Sequence, residues 1–137
     1  MINSYEDCIC FLFAKANQKA QATLKKTLKP YGITAVQILI LEALWEDEGL
    51  TAGEIGKRLV LDNATTSGVL DRLSEAGWIS KETARDDKRA LKITLSNKAK
   101  EYQGDLFQIR ENVNDIVLQS FSQEERLLLK RLLKDLR

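Results

Sequence analysis

Apolar positions recur every three to four residues along most of this chain, and in two short stretches they alternate instead. Tyr5, Ile9, Leu12, Phe13, Ala16, Ala20, Leu24 and Leu28 share the spacing of one helix face, so a long first helix is expected over about residues 4–29. Pro30 and Gly32 stop it. A second helix, capped by Thr34, has Val36, Ile38, Leu39, Leu41, Leu44 and Trp45 as core positions and ends in Glu46-Asp47-Glu48-Gly49. Thr51, followed three residues later by Glu54, has the form of a capping box for a short helix with Ile55 and Leu59 inward. The next helix begins at Asp62 or Asn63, turns Val69, Leu70 and Leu73 inward, and stops at Gly77. The Val60-Leu61-Asp62 turn between the two makes a helix-turn-helix.

The period then changes. Trp78 to Thr83 and Ala90 to Leu95 read as short strands, with Leu91, Ile93 and Leu95 alternating against Lys92 and Thr94. The charged turn Ala84-Arg85-Asp86-Asp87-Lys88-Arg89 joins them, and a hairpin directly after a helix-turn-helix is a wing. Ser96 caps a long helix with an apolar stripe of Tyr102, Leu106, Ile109, Val113 and Ile116, spaced four, three, four and three, and Ser122 with Glu125 boxes in a last, leucine-rich helix. The expected fold is mainly α with a small β-hairpin wing, one domain over residues 1–137. Its winged lobe covers about 34–96, and helices flank it over about 4–30 and 97–137.

Composition adds little to this picture. With one proline and seven glycines among 137 residues, long helices are favoured over a strand-rich fold. No run of eighteen apolar residues occurs, so no membrane span is expected. The apolar run Cys8 to Ala14 follows Glu6 and Asp7 without a basic segment, which is not the pattern of an export signal; a reducing cytoplasm is the expected setting. The chain has no histidine, so the commonest general base is missing, and neither metal-ligand nor nucleophile spacing appears. Gly53-Glu54-Ile55-Gly56-Lys57-Arg58 lacks the glycine and the Ser or Thr that a phosphate loop needs. Neither an enzyme nor a cofactor or metal site is expected.

Charge matters only when read locally. The net formal charge is +1, but residues 85–100 hold six basic groups against two acidic ones, while residues 31–84 hold four against nine. A basic tip on a near-neutral protein suits a hairpin that touches phosphates, although a solvated hairpin also needs charge. In helix-turn-helix docking the second helix enters the major groove with its N-terminal residues at base edges. Those residues here are Asn63, Ala64, Thr65, Thr66, Ser67 and Gly68, a longer run of small polar groups than one cap requires. Arg72 is the single basic residue of that helix, beside Asp71 and Glu75, so arginine-to-guanine reading is not obvious.

The run from Leu50 to Ser96 resembles the DNA-binding lobe of the MarR family of regulators. The resemblance is carried by Leu50-Thr51 with Glu54-Ile55-Gly56, by Leu70-Asp71-Arg72-Leu73 leading to Ala76-Gly77-Trp78-Ile79, and by Arg85, Asp87-Lys88-Arg89 and Leu95-Ser96. It implies a sequence-specific double-stranded DNA-binding transcription regulator, a repressor released by a small-molecule effector. Asn63, Thr65, Thr66, Ser67, Arg72, Arg85, Asp87, Lys88 and Arg89 would contact DNA. The Asp87 and Arg89 pair matches the family's wing motif, with Arg89 in the minor groove and Asp87 holding the wing's shape. The resemblance also implies a homodimer built from the terminal helices, on a pseudo-palindromic operator. An effector would then sit between those helices and the winged lobe, where Phe13, Ala16, Ile38, Leu41 and Trp45 either line a pocket or are plain core.

Two other readings stay open: a winged helix used for protein contacts, and a redox sensor using Cys10. Ile9-Cys10-Phe11-Leu12-Phe13 resembles the start of the organic-hydroperoxide-sensing branch. That branch surrounds its cysteine with tyrosines, and Ala14, Leu24 and Ala35 stand at those places here, so a buried, inert Cys10 is expected. Cys8 and Cys10 point to different faces of a helix, which does not suit a disulfide.

Overall fold

Ser4 opens the structure, a computed structural model that describes residues 4–83 and 91–137. Its hydroxyl accepts from the Glu6 N–H and sets a 3-10 turn over Tyr5–Asp7, so the first α-helix starts only at Ile9 rather than near Ser4. The described residues form α1 (Ile9–Leu28), α2 (Ala35–Glu46), α3 (Ala52–Leu59), α4 (Asn63–Glu75), β1 (Ile79–Thr83), β2 (Leu91–Leu95), α5 (Asn97–Val117) and α6 (Gln123–Lys134). They divide into two bodies, one of residues Leu28–Phe107 and one of Met1–Thr27 with Gln108–Arg137.

In the Leu28–Phe107 body, α2 is the central element and packs against α3, α4 and β2. A full capping box holds its start: the Thr34 hydroxyl accepts from the Gln37 N–H, and the Gln37 side chain accepts from the Thr34 N–H. Ile38, Ile40, Leu41, Ala43 and Leu44 are buried, whereas Leu39, expected inside, is 46% exposed. The segment is apolar on every side, so its periodicity does not choose a face, and Ile40 takes the core place assigned to Leu39.

The hairpin pairs Ile79 with Leu95, Lys81 with Ile93 and Thr83 with Leu91. Ile79, Ile93 and Leu95 are buried, while Leu91 at the outer end is exposed. Trp78 lies just before the strand and is itself buried, its N–H donating to the Leu73 carbonyl at 2.9 Å. The segment around Leu50 adds a third edge: Ile93 N–H donates to Leu50 O, Gly49 N–H donates to Ile93 O, and Thr51 bridges Lys92. Trp78 continues into an aromatic cluster, edge-on to Tyr102, which is edge-on to Tyr31, with the Lys98 ammonium 4.3 Å from the indole centre.

The other body holds most of α1, the second half of α5, and α6. Ile109 and Val113 are buried, whereas Ile116, three residues further along the stripe, is exposed. The Ser122–Glu125 capping box forms as expected, and Arg126 reaches Asp115 at 3.0 Å and the Phe121 carbonyl at 3.1 Å. No residue of α6 is buried, and Leu127, Leu128, Leu132, Leu133 and Leu136 all stand exposed. Both cysteines are free and exposed, so a buried Cys10 is not what the fold provides. The Cys8 thiol is held below its ordinary pKa, chiefly by the Phe11 backbone N–H and then by that of Cys10.

The tightest point of the winged lobe is where α3 turns into α4. Val60 adopts a left-handed conformation (φ 57°), and its N–H and that of Leu61 both donate to the Gly56 carbonyl. A Cβ at Gly56 would stand 3.0 Å from the Thr66 hydroxyl oxygen and 3.1 Å from the Leu61 carbonyl oxygen. Gly56→Ala should therefore push α3 and α4 apart and lower stability by about 1–3 kcal/mol. Val60→Asn, which tolerates this conformation, should raise stability by about 0.5–1 kcal/mol. Urea unfolding followed by circular dichroism reads both changes, and an unaltered Gly56→Ala midpoint would refute the close-contact account.

Candidate nucleic-acid interface

Asp62 determines how α4 begins. Its carboxylate accepts from the Thr65 N–H at 2.7 Å and from the Thr65 hydroxyl at 2.8 Å. Those two donors, the backbone one first, hold the Asp62 carboxyl below its usual pKa, in keeping with a negative charge at a helix N-terminus. Thr66, Val69, Leu70 and Leu73 form the buried side of the helix. The opposite side shows Asn63, Ala64, Ser67, Asp71, Arg72 and Glu75 exposed, with Gly68 half-buried among them.

The five site residues expected on α4 therefore separate. Asn63, Thr65, Ser67 and Arg72 are on the surface. Thr66 is not: it is 1% exposed, and its hydroxyl donates to the Asp62 carbonyl at 2.8 Å while packing against the Gly56 backbone. Thr66 is thus a packing residue rather than one that faces base edges. Its spacing already hinted at this, since it lies three before Val69, four before Leu70 and seven before Leu73.

Arg85, Asp87, Lys88 and Arg89 lie outside the described residues. The arms that lead to them are described, and they are fastened to α4. The Lys81 ammonium of β1 makes an ion pair with Asp71 of α4. This tie between α4 and the hairpin was missed in the sequence, because a lysine in a strand and an aspartate on a helix carry no mutual signal.

The five residues expected around an effector are divided between the two bodies. Ile38 and Leu41 are buried core of α2, and half-buried Trp45 packs its ring 5.2 Å from Phe107. The Trp45 indole Nε1 is buried without a hydrogen-bond partner among the described residues. Phe13 and Ala16 are exposed on α1 in the other body. That body contains its own apolar grooves: one of about 280 Å³ includes Leu24, Val113, Val117, Leu129 and Leu133, and one of about 250 Å³ includes Phe121, Leu128 and Leu132. None of the five expected residues lines either groove. Among the described residues no group of His, Cys, Asp or Glu is placed to hold a metal ion, and no helix is long and apolar enough to cross a membrane.

Comparison with known proteins places this arrangement. Residues 33–91 match the model of the MarR family. The chain is 30% identical over 112 residues to the HTH-type transcriptional regulator SarZ of Staphylococcus epidermidis, covering 81% of this chain and 76% of that one. It is also 30% identical over 125 residues to the HTH-type transcriptional regulator TtmR of Methylorubrum extorquens. That match takes in 91% of this chain but 64% of the relative, so the chain spans a little under two thirds of that relative's length. Among solved structures, a mutant MarR from E. coli complexed with operator DNA superposes with a TM-score of 0.87 at 25% identity, over 98% of this chain and 99% of that one.

The Asp62 cap yields a pH-dependent expectation. A carboxyl whose folded pKa lies below the ordinary 3.8 stabilises the fold above that value, and the contribution is lost as pH falls through the folded pKa. Asp62→Asn keeps an acceptor for Thr65 but no charge. Thermal unfolding should show this variant below the parent at neutral pH, with the gap closing on acidification. A gap independent of pH would exclude the charge as its cause.

Proposed function

This chain belongs to the MarR family, and on that footing we propose that it is a sequence-specific double-stranded DNA-binding transcription regulator, not an enzyme. The observation that carries the reading is the exposed N-terminal half of α4, polar and free of bulky side chains, on a helix fastened from below by Thr66 and from the side by Lys81. Rigid mounting matters because base edges reward donors and acceptors that are already in place. Asn63, Thr65 and Ser67 meet base edges in the major groove, with Arg72 beside them. Arg85, Lys88 and Arg89 meet the backbone and minor groove from the wing tip, and Asp87 holds the tip's shape.

The protein works as a homodimer on a pseudo-palindromic operator, in the cytoplasm, as a repressor released by a small-molecule effector. Support for the dimer comes from the terminal segments, where Ile9, Leu12, Phe13, Phe121, Leu127, Leu128, Leu132, Leu133 and Leu136 stand exposed, side chains of the kind that protein–protein contacts cover. A second copy of the same helices is the occupant that buries them. Half-sites would then lie about one helical turn apart. The effector is assigned to the neighbourhood of Trp45 in the winged lobe, where the buried Trp45 Nε1 has no hydrogen-bond partner among the described residues and offers a donor.

Selection from random duplexes, followed by binding at several salt concentrations, tests the DNA reading. Lys88→Ala should weaken binding to operator and random DNA alike and flatten the log–log salt slope by about one. Arg89→Ala should lose most where the flanking DNA is A·T-rich. Ser67→Ala should relax the preference at one or two base pairs of the half-site, by about 1–3 kcal/mol. If the parent selects no duplex, a winged helix used for protein contacts takes its place.

Sedimentation tests the assembly. The full chain should run as a dimer, and Leu128→Glu with Leu132→Glu should give a monomer or an aggregate. A parent that sediments as a stable monomer would contradict the dimer.

A further inference from the structure

We propose that Arg72 sets the sequence preference of α4 by reading a guanine, its guanidinium carried back toward the helix N-terminus over Gly68. The proposal rests on the DNA-binding reading above and adds to it the one base contact that the sequence made least obvious. Arg72 stands in the last turn of α4, whereas helix-turn-helix docking brings the first turns to the base edges. By backbone position alone it is too far along. Its side chain closes that distance: a Cβ at Gly68 would meet the Arg72 Nη2 at 3.8 Å. Four residues of helix rise about 6 Å, so the charged end sits about one turn nearer the N-terminus than its own Cα. Helical side chains lean this way. A Cβ at residue 68 would only touch the guanidinium, whereas a longer side chain there would compete for the same space.

The neighbouring carboxylates do not capture the arginine. Asp71 is taken by Lys81, and Asp62 by the Thr65 N–H and hydroxyl. Glu75, three residues on, is exposed, and neither its side chain nor that of Arg72 makes a hydrogen bond or ion pair among the described residues. The guanidinium therefore keeps its five N–H donors for an outside acceptor. A planar fork of donors matches the paired acceptors O6 and N7 of guanine. Adenine shows one acceptor and one donor at the same edge, so it satisfies the fork only in part. Lysine would supply the charge without the fork.

The test is selection from random duplexes with the parent, Arg72→Lys and Gly68→Gln, followed by binding to the selected site and to versions with single base pairs changed. The parent should select a G·C pair in each half-site, and replacing that pair should weaken binding by about 10- to 100-fold. Arg72→Lys should shrink this discrimination to a few-fold, a larger change than its loss of affinity for random duplex. Gly68→Gln keeps the arginine but competes for its space, and it should lose the same preference. Discrimination retained in Arg72→Lys would overturn the proposal. So would a loss spread evenly over all sequences with a salt slope reduced by about one, which marks a phosphate contact. A parent that selects no duplex would fail the DNA reading as a whole, whereas a selective parent with equally selective variants would fail only the assignment of Arg72.

Discussion

At Gly56 the backbone of α3 approaches α4 so closely that even a Cβ would stand 3.0 Å from the Thr66 hydroxyl and 3.1 Å from the Leu61 carbonyl, and one of them would have to give. This approach sets which side of α4 faces inward. With Thr66 held against Gly56, the residues three, four and seven positions later fall on the core side, and these are Val69, Leu70 and Leu73. The surface then receives Asn63, Ala64, Ser67, Gly68 and Arg72. A rotation of α4 by one residue would bury Ser67 or Asn63 and expose a leucine. The α3–α4 contact thus acts as a register stop. The strained Val60 turn is the backbone's local cost for entering α4 so soon after α3.

Much of this was legible in the residues, for a definable reason. The caps at Thr34, Thr51, Asp62 and Ser122 are local, because a side chain and an N–H three residues away make them whatever the rest of the chain does. Alternation at Ile93 and Leu95 was equally local. Periodicity failed where both sides of a segment are apolar, as in α2, since Ile40 and Leu39 are chemically equal and only the surrounding elements distinguish them. On α5 and α6 periodicity shows a stripe but not its partner: Ile116, Leu128 and Leu132 are left exposed. A stripe announces that something covers it, not that the same chain does.

The candidate site was legible in part. Composition located the polar run from Asn63 to Gly68, whose amide and three hydroxyls read as four contributors alike. The structure makes them unequal. Thr66 is spent on packing, and the Thr65 hydroxyl is held by Asp62, which leaves its methyl group for a base edge; Asn63 and Ser67 have side chains not otherwise engaged among the described residues. Gly68 lies beside the end of the Arg72 side chain, rooted four residues later, a neighbourhood set by the course of a long flexible side chain that no spacing rule reports.

Charge on α4 follows the same economy. Phosphate repels carboxylate, so with α4 placed against DNA as proposed, Asp62 and Asp71 oppose binding to any sequence. Both are tied to groups of the fold itself, and they serve there as fasteners, one for the helix start and one for the hairpin. Their presence still lowers the general attraction of this surface for nucleic acid, and a net charge of +1 does little to restore it. A regulator has to discriminate among a very large number of competing sites, so weakening the sequence-independent term raises the ratio that matters. On such a surface, few base contacts have to supply a large share of the preference, and each must be held rigidly to do so. The Gly56 contact, the Asp62 cap and the Lys81–Asp71 pair provide that rigidity from three directions around one short helix.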